Sequence, residues 1–135
     1  DIWRERIASI RENGMDLVAD ASMSRWFSPK MLAGQSKAPW HNMLRATQAE
    51  GYIGCAHAIA GTDFITPTSA LRLPVMGIAG DHDSSTPADL VRETLDLIPG
   101  SQFHLIKGAG HAPCIEQPAT FAKLLSDFLT STSHI

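Results

Sequence analysis

Basic residues are scarce in this chain. Lys and Arg total 11 against 14 Asp and Glu, a formal net charge of −3, and they form no run. Nucleic acid or an acidic membrane surface would need a basic patch, so neither is expected as a partner. Cysteine is nearly absent too. Cys55 and Cys114 stand in no metal or redox spacing and read as reduced, buried thiols of a cytoplasmic protein. No apolar run reaches the length of a membrane span, and no N-terminal stretch has the make-up of a signal peptide. Repeats, low-complexity tracts and charge runs are missing as well. What is present is 135 residues, 44% of them hydrophobic, enough for one modest core.

The most structured stretch is Leu73 to His111. Leu73-Pro74-Val75-Met76-Gly77-Ile78-Ala79 is a short apolar run, suited to a strand buried on both faces of a parallel sheet. It ends in Gly80-Asp81-His82-Asp83. Thr86 then reads as an N-cap, with Pro87 at the first helical position and Asp89 three residues after the cap. Leu90, Val91, Leu95 and Ile98 share one face, and Pro99-Gly100 ends the helix. Phe103-His104-Leu105-Ile106 is a second strand, ending in Gly108-Ala109-Gly110-His111. One βαβ unit with a right-handed crossover would bring a carboxylate and a histidine to the same rim of the sheet.

The rest reads as helical. Trp3, Ile7 and Ile10 lie on one face, and Gly14 suits a C′ position. Asp16 to Asp20 reads as a short helical piece and Arg25-Trp26-Phe27-Ser28-Pro29 as an aromatic loop. Pro39 opens a helix carrying Trp40, Met43 and Leu44. Glu50 to Gly61 is another, with Tyr52, Cys55 and Ile59 at helical spacing. Asp63 to Leu71 leads back to the sheet. A last amphipathic helix carries Phe121, Leu124, Leu125, Phe128 and Leu129, followed by a polar tail, Ser131 to Ile135. The expected division is a helical cap, residues 1–68, and the end of an α/β core, residues 69–135.

An imidazole beside a buried carboxylate is the base half of a Ser-His-Asp triad. The acid holds the tautomer and stabilises the imidazolium. Asp83 is the expected acid and His111 the expected general base, with Gly108 and Gly110 supplying the turn that aims the ring. Asp81 is the alternative acid, although a side chain nearer the strand end more often serves the turn itself. Asp81-His82-Asp83 is a poor metal site, because adjacent residues seldom converge on one ion. Cys114 is too close to His111 in sequence to act as its nucleophile. Gly34-Gln35-Ser36-Lys37-Ala38 mimics a nucleophile elbow but lacks the buried strand an elbow needs.

The acid-then-histidine order is that of the α/β-hydrolases. Gly80-Asp81-His82-Asp83-Ser84-Ser85-Thr86-Pro87 resembles the acid turn of that superfamily. Gly108-Ala109-Gly110-His111-Ala112-Pro113, followed by Glu116-Gln117-Pro118, resembles its histidine turn. Trp3-Arg4, Gly14-Met15, Ala19-Asp20-Ala21, Arg25-Trp26-Phe27 and Glu50-Gly51-Tyr52-Ile53-Gly54-Cys55 resemble the cap of 3-oxoadipate enol-lactonases. This resemblance implies a cytoplasmic hydrolase of aromatic catabolism, in the β-ketoadipate pathway, that opens an enol-lactone ring without metal or organic cofactor. It also implies a small-molecule lactone or ester substrate. Trp26 reads either as an apolar wall of its pocket or as core packing within the cap, and Arg25 either as the partner of the substrate carboxylate or as a solvated surface arginine; Arg45 and Arg72 are weaker candidates for that pairing.

One departure matters. The family's Gly-x-Ser-x-Gly elbow and its oxyanion loop precede the cap, and neither is found in these residues. The expectation is therefore a C-terminal part of a longer enzyme, starting at Asp1 without an initiator Met and inactive alone. Two rivals follow. One is another capped hydrolase, acting on an ester or a C–C bond or resembling a haloperoxidase. The other is a non-catalytic fragment that associates with a second copy or with a missing N-terminal half.

Overall fold

Apolar residues set the order of the helices. In a computed structural model describing residues 2–134, Ile7 and Ile10 are buried on α1 (Ile2–Asn13). Gly14 then turns the chain at φ 74° and ψ −164°, a conformation side-chain-bearing residues avoid. Helix α2 (Met15–Trp26) buries Met15, Val18, Ala19, Ser22 and Met23, one stripe at helical spacing. The expected short piece at Asp16 to Asp20 is thus a helix of 12 residues, and Arg25 and Trp26 belong to its last turn rather than to a loop. Ser28 caps α3 (Pro29–Ala33), accepting the Met31 N–H, with Pro29 at the first helical position.

A 3-10 turn (Gln35–Lys37) leads into α4 (Ala38–Arg45), and α5 (Ala49–Ala60) and the short α6 (Ile65–Ser69) follow. α2 packs on α4, and α1 packs on α5 and α2. Their shared core joins Ile10, Phe27, Leu44 and Ile53. On α5 the buried positions are Ile53 and Ala56. Cys55 points away from that face and is exposed, and Ile59 is exposed as well. Cys114 is exposed too, so neither thiol is buried as expected.

The sheet has two parallel strands, β1 (Met76–Gly80) and β2 (Gln102–Ile106), registered from Met76 opposite Gln102 to Gly80 opposite Ile106. β1 starts three residues later than expected because Pro74 lacks an N–H and restrains Leu73. Val75 still contributes its carbonyl, accepting the Gln102 N–H at 2.9 Å. Between the strands, α7 (Ala88–Asp96) packs on β1 through Leu95, while Leu90 stays exposed. Thr86 is not the N-cap: the helix starts at Ala88 after an extended Pro87, and no side chain caps it. After β2 come α8 (Pro113–Glu116) and α9 (Pro118–Ser131). The expected apolar face of α9 buries no residue fully. Asp1 and Ile135, the ends named in the sequence reading, lie outside the described residues. No helix among the described residues is long and apolar enough to cross a membrane.

Candidate active site

The two strand ends meet backbone to backbone. A Cβ on Gly80 would lie 2.2 Å from the carbonyl oxygens of both Ala109 and Gly110, so only glycine fits there. The His82 N–H donates to the Ala109 carbonyl at 2.9 Å, and Asp81 Oδ1 accepts the Gly108 N–H at 2.6 Å. Asp81 therefore ties the acid turn to the histidine turn. It stands 3.9 Å from His82 Nε2, and both side chains are solvated.

Asp83 faces the other way. Its Oδ2 lies 2.9 Å from His111 Nδ1, and the Asp83 side chain is 5% exposed against 38% for His111. Asp83 Oδ1 accepts the N–H groups of Ser85 at 2.8 Å and Thr86 at 3.0 Å. The Thr86 hydroxyl donates to Asp83 Oδ2 at 2.9 Å and sits 3.2 Å from His111 Nδ1. This is where Thr86 goes instead of capping α7. Burial pushes the Asp83 carboxyl up. The bonds from His111, from the Thr86 and Ser85 N–H groups and from the Thr86 hydroxyl outweigh it and hold the carboxyl below the ordinary carboxylate range. Asp83 is thus an ionised acceptor for an N–H on Nδ1, which leaves Nε2 of His111 as the basic nitrogen.

The end of α2 lies against both turns. Arg25 and Trp26 offer their carbonyls to the N–H groups of Ser84 at 3.3 Å and His111 at 2.7 Å. The Trp26 ring stands 6.2 Å from the His111 ring, centroid to centroid, tilted by 31°. His111, Trp26 and Arg25 line one cavity of about 870 Å³, together with Trp3, Arg6 and Tyr52. Arg25 donates through Nε to the Ala21 carbonyl and through Nη2 to Ser22 Oγ, both at 3.2 Å. Burial, then the nearby Arg6 guanidinium, lowers its pKa from the usual arginine value.

No family model matches the chain. It is 31% identical over 134 residues to 3-oxoadipate enol-lactonase 1 of Acinetobacter baylyi, covering 97% of this chain and 50% of that protein. Enol-lactonase 2 of the same organism is 28% identical over 122 residues, covering 88% of this chain and 45% of that one. The crystal structure of the enol-lactonase from Burkholderia xenovorans LB400 superposes with a TM-score of 0.85 at 29% identity, over 96% of this chain and 50% of that one. The chain belongs to the α/β-hydrolase superfamily. Its helices and two parallel strands form a C-terminal part of the α/β-hydrolase fold, and it spans about half the length of the curated relatives it matches.

Among the residues singled out from sequence, the α/β-hydrolase fold brings Asp83, His111, Trp26 and Arg25 together. It leaves Arg45 paired to Asp16 at 2.7 Å and Arg72 bonded to the Ser69 and Leu71 carbonyls, both away from the cavity. Ser36 lies in the 3-10 turn with helix, not strand, before it. Among the described residues no three His, Cys, Asp or Glu side chains converge as metal ligands would. Sequence reasoning missed Thr86 as a partner of the Asp83–His111 pair. It also missed Arg6, Trp3 and Tyr52 as cavity residues. The first had a signal: a hydroxyl three residues after an aspartate can turn back to it. The cavity residues had none, because α1 meets α2 and α5 only in the tertiary fold.

Proposed function

We propose that this chain carries the acid–base half of a serine hydrolase site, and that the substrate is 3-oxoadipate enol-lactone. The observation that carries the reading is the 2.9 Å pairing of Asp83 with His111, a histidine that lines one cavity with Trp26 and Arg25. The likeness to two enol-lactonases along nearly the whole chain supports the choice of substrate. In this reading residues 1–68 act as the cap and residues 69–135 as the end of the core. A cytoplasmic location belongs to the same proposal.

A serine from a segment outside these 135 residues attacks the lactone carbonyl, and His111 Nε2 takes its proton. The ring C–O bond breaks, and the imidazolium returns the proton to the leaving enolate oxygen. Water, deprotonated by the same nitrogen, then cleaves the acyl-serine; the proton passes from the imidazolium to the departing serine oxygen, and the freed enol tautomerises to 3-oxoadipate. Asp83 holds the N–H on Nδ1 throughout and stabilises the positive ring. Trp26 walls the flat lactone, and Arg25 pairs with its carboxylate. The chain lacks a Gly-x-Ser-x-Gly elbow, so alone it releases no product.

The test joins this chain to the first half of an enol-lactonase and assays the enol-lactone beside a simple aryl ester. The reading expects preference for the lactone, loss of turnover in H111A, and no turnover by the 135-residue chain alone. Equal use of both esters would sink the lactone assignment. Turnover that survives H111A would sink the mechanism.

A further inference from the structure

We propose that Glu116 is a positioning residue that locks the histidine turn to the end of α2 and so fixes His111 against Trp26. Its carboxylate bridges segments 88 residues apart in sequence. Oε1 accepts the Gly110 N–H at 2.7 Å, immediately before His111. Oε2 accepts the Ser28 N–H at 3.1 Å, and the Ser28 hydroxyl donates to it in a short bond. Ser28 is 2% exposed and stands two residues after Trp26. Glu116 thus grips both sides of the junction in which the His111 N–H donates to the Trp26 carbonyl at 2.7 Å.

The junction has no slack. A Cβ on Gly110 would come within 2.3 Å of the Trp26 carbonyl oxygen and 3.0 Å of Glu116 Oε1. Three donors converge on two oxygens, and a carboxylate, acceptor-only when ionised, satisfies all of them. An amide does this less well. With its oxygen in the Oε1 place it keeps the Gly110 N–H and the longer 3.3 Å bond from the Ser28 N–H, but its NH2 then faces the Ser28 hydroxyl, which has to give up its donor role, and the charge is gone. Charge-assisted bonds of this kind are also the shorter and stronger ones, which suits a latch between two segments far apart in sequence. Asp83 fixes the His111 ring from its Nδ1 side. Glu116 fixes the backbone from which that ring projects. The geometric inference stands whether or not the chain is part of a hydrolase; only its catalytic consequence rests on that reading.

The test uses the isotope-labelled 135-residue chain and its E116Q and S28A variants, followed by NMR. In E116Q the Gly110 and Ser28 amides should exchange with solvent roughly tenfold faster. The Trp26–His111 ring contact should weaken, and the His111 ring protons, read at one fixed pH, should change chemical shift. S28A keeps the two N–H bonds and should show the same changes at smaller size. A variant that merely loosens α8 would melt earlier but leave the ring contact and the ring-proton shifts where they were; that result in E116Q overturns the proposal. If E116Q does not fold, S28A decides: an unchanged Trp26–His111 ring contact there overturns it equally. None of these readouts uses a substrate, so a failure of the hydrolase reading would leave them intact and be recognised separately.

Discussion

Asp83 collects four donors: two backbone N–H groups, the Thr86 hydroxyl and the His111 ring. Two consequences follow at this scale. First, its folded pKa lies below the unfolded one, near 3.9 for an ordinary aspartate. The stabilisation is then fully present above that unfolded value and is lost as pH falls through the folded pKa. Thermal melts taken from pH 7 down to pH 2 should show the loss, and D83N should flatten that part of the curve. Equal slopes in both proteins would show that other carboxylates govern the acid limb. Second, D83N keeps a carbonyl oxygen for the Ser85 and Thr86 N–H groups but removes the charge facing the imidazolium. In the joined, active form its kcat should fall on the order of 10³–10⁴-fold with a folded structure retained. Much of this was legible in the residues. Asp81 and Asp83 lie two apart on an irregular turn and point to different neighbours, so one serves Gly108 and the other His111. The Thr86 hydroxyl was legible only as a choice of two. Two uses competed for it, the cap of α7 and the Asp83 carboxylate, and only the position of the histidine turn decides between them.

At the scale of elements, the two loops are held at contact distance by Gly80. G80A would place a methyl against two backbone carbonyls that have no rotamer to escape into. The expected cost is about 1–3 kcal/mol, measured by urea denaturation. G77A is the control. The atoms nearest its Cβ would belong to the Leu95 and Val91 side chains, not to backbone, and side chains can yield, so it should cost less. A reversed order would mean that the two turns are not in fact clamped together. The same scale shows why helix lengths were harder to read than strands. α2 buries Met15, Val18, Ala19, Ser22 and Met23, but two of those are small or polar and Leu17, the most apolar-looking neighbour, is 53% exposed. Binary patterning weighs Leu17 heavily and Ser22 not at all, which shortens the helix on paper. On α5, Cys55 looks like a core residue for the same reason, whereas Ile53 and Ala56 take the buried face.

For the molecule as a whole, the sheet is the weak point. Two strands alone are marginal in water, and each has one edge without a strand partner among the described residues. Apolar side chains stand uncovered on β2 and in the segments that precede and follow the sheet in sequence: Leu105 at 41%, Leu73 at 56% and Leu125 at 40% exposure, with no residue of α9 fully buried. A parallel sheet is normally covered on both faces, so this one has room for further strands. The helical segment, by contrast, has a buried core around Ile10, Phe27 and Leu44, on which Ala112 and Ile115 also pack. The expected behaviour is therefore unequal. The chain on its own should self-associate through the sheet, sedimenting above the monomer in a concentration-dependent way, while the helical core stays native-like. L105K combined with L125K should lower the association without melting the helices, because both side chains already face solvent. The separately produced first half of an enol-lactonase, if it adds strands at the same edge, should compete with self-association and yield a one-to-one complex. A chain that sediments as a monomer at all concentrations, and ignores that half, would mean that the open edge is not a docking edge and that the two strands are stable as they stand.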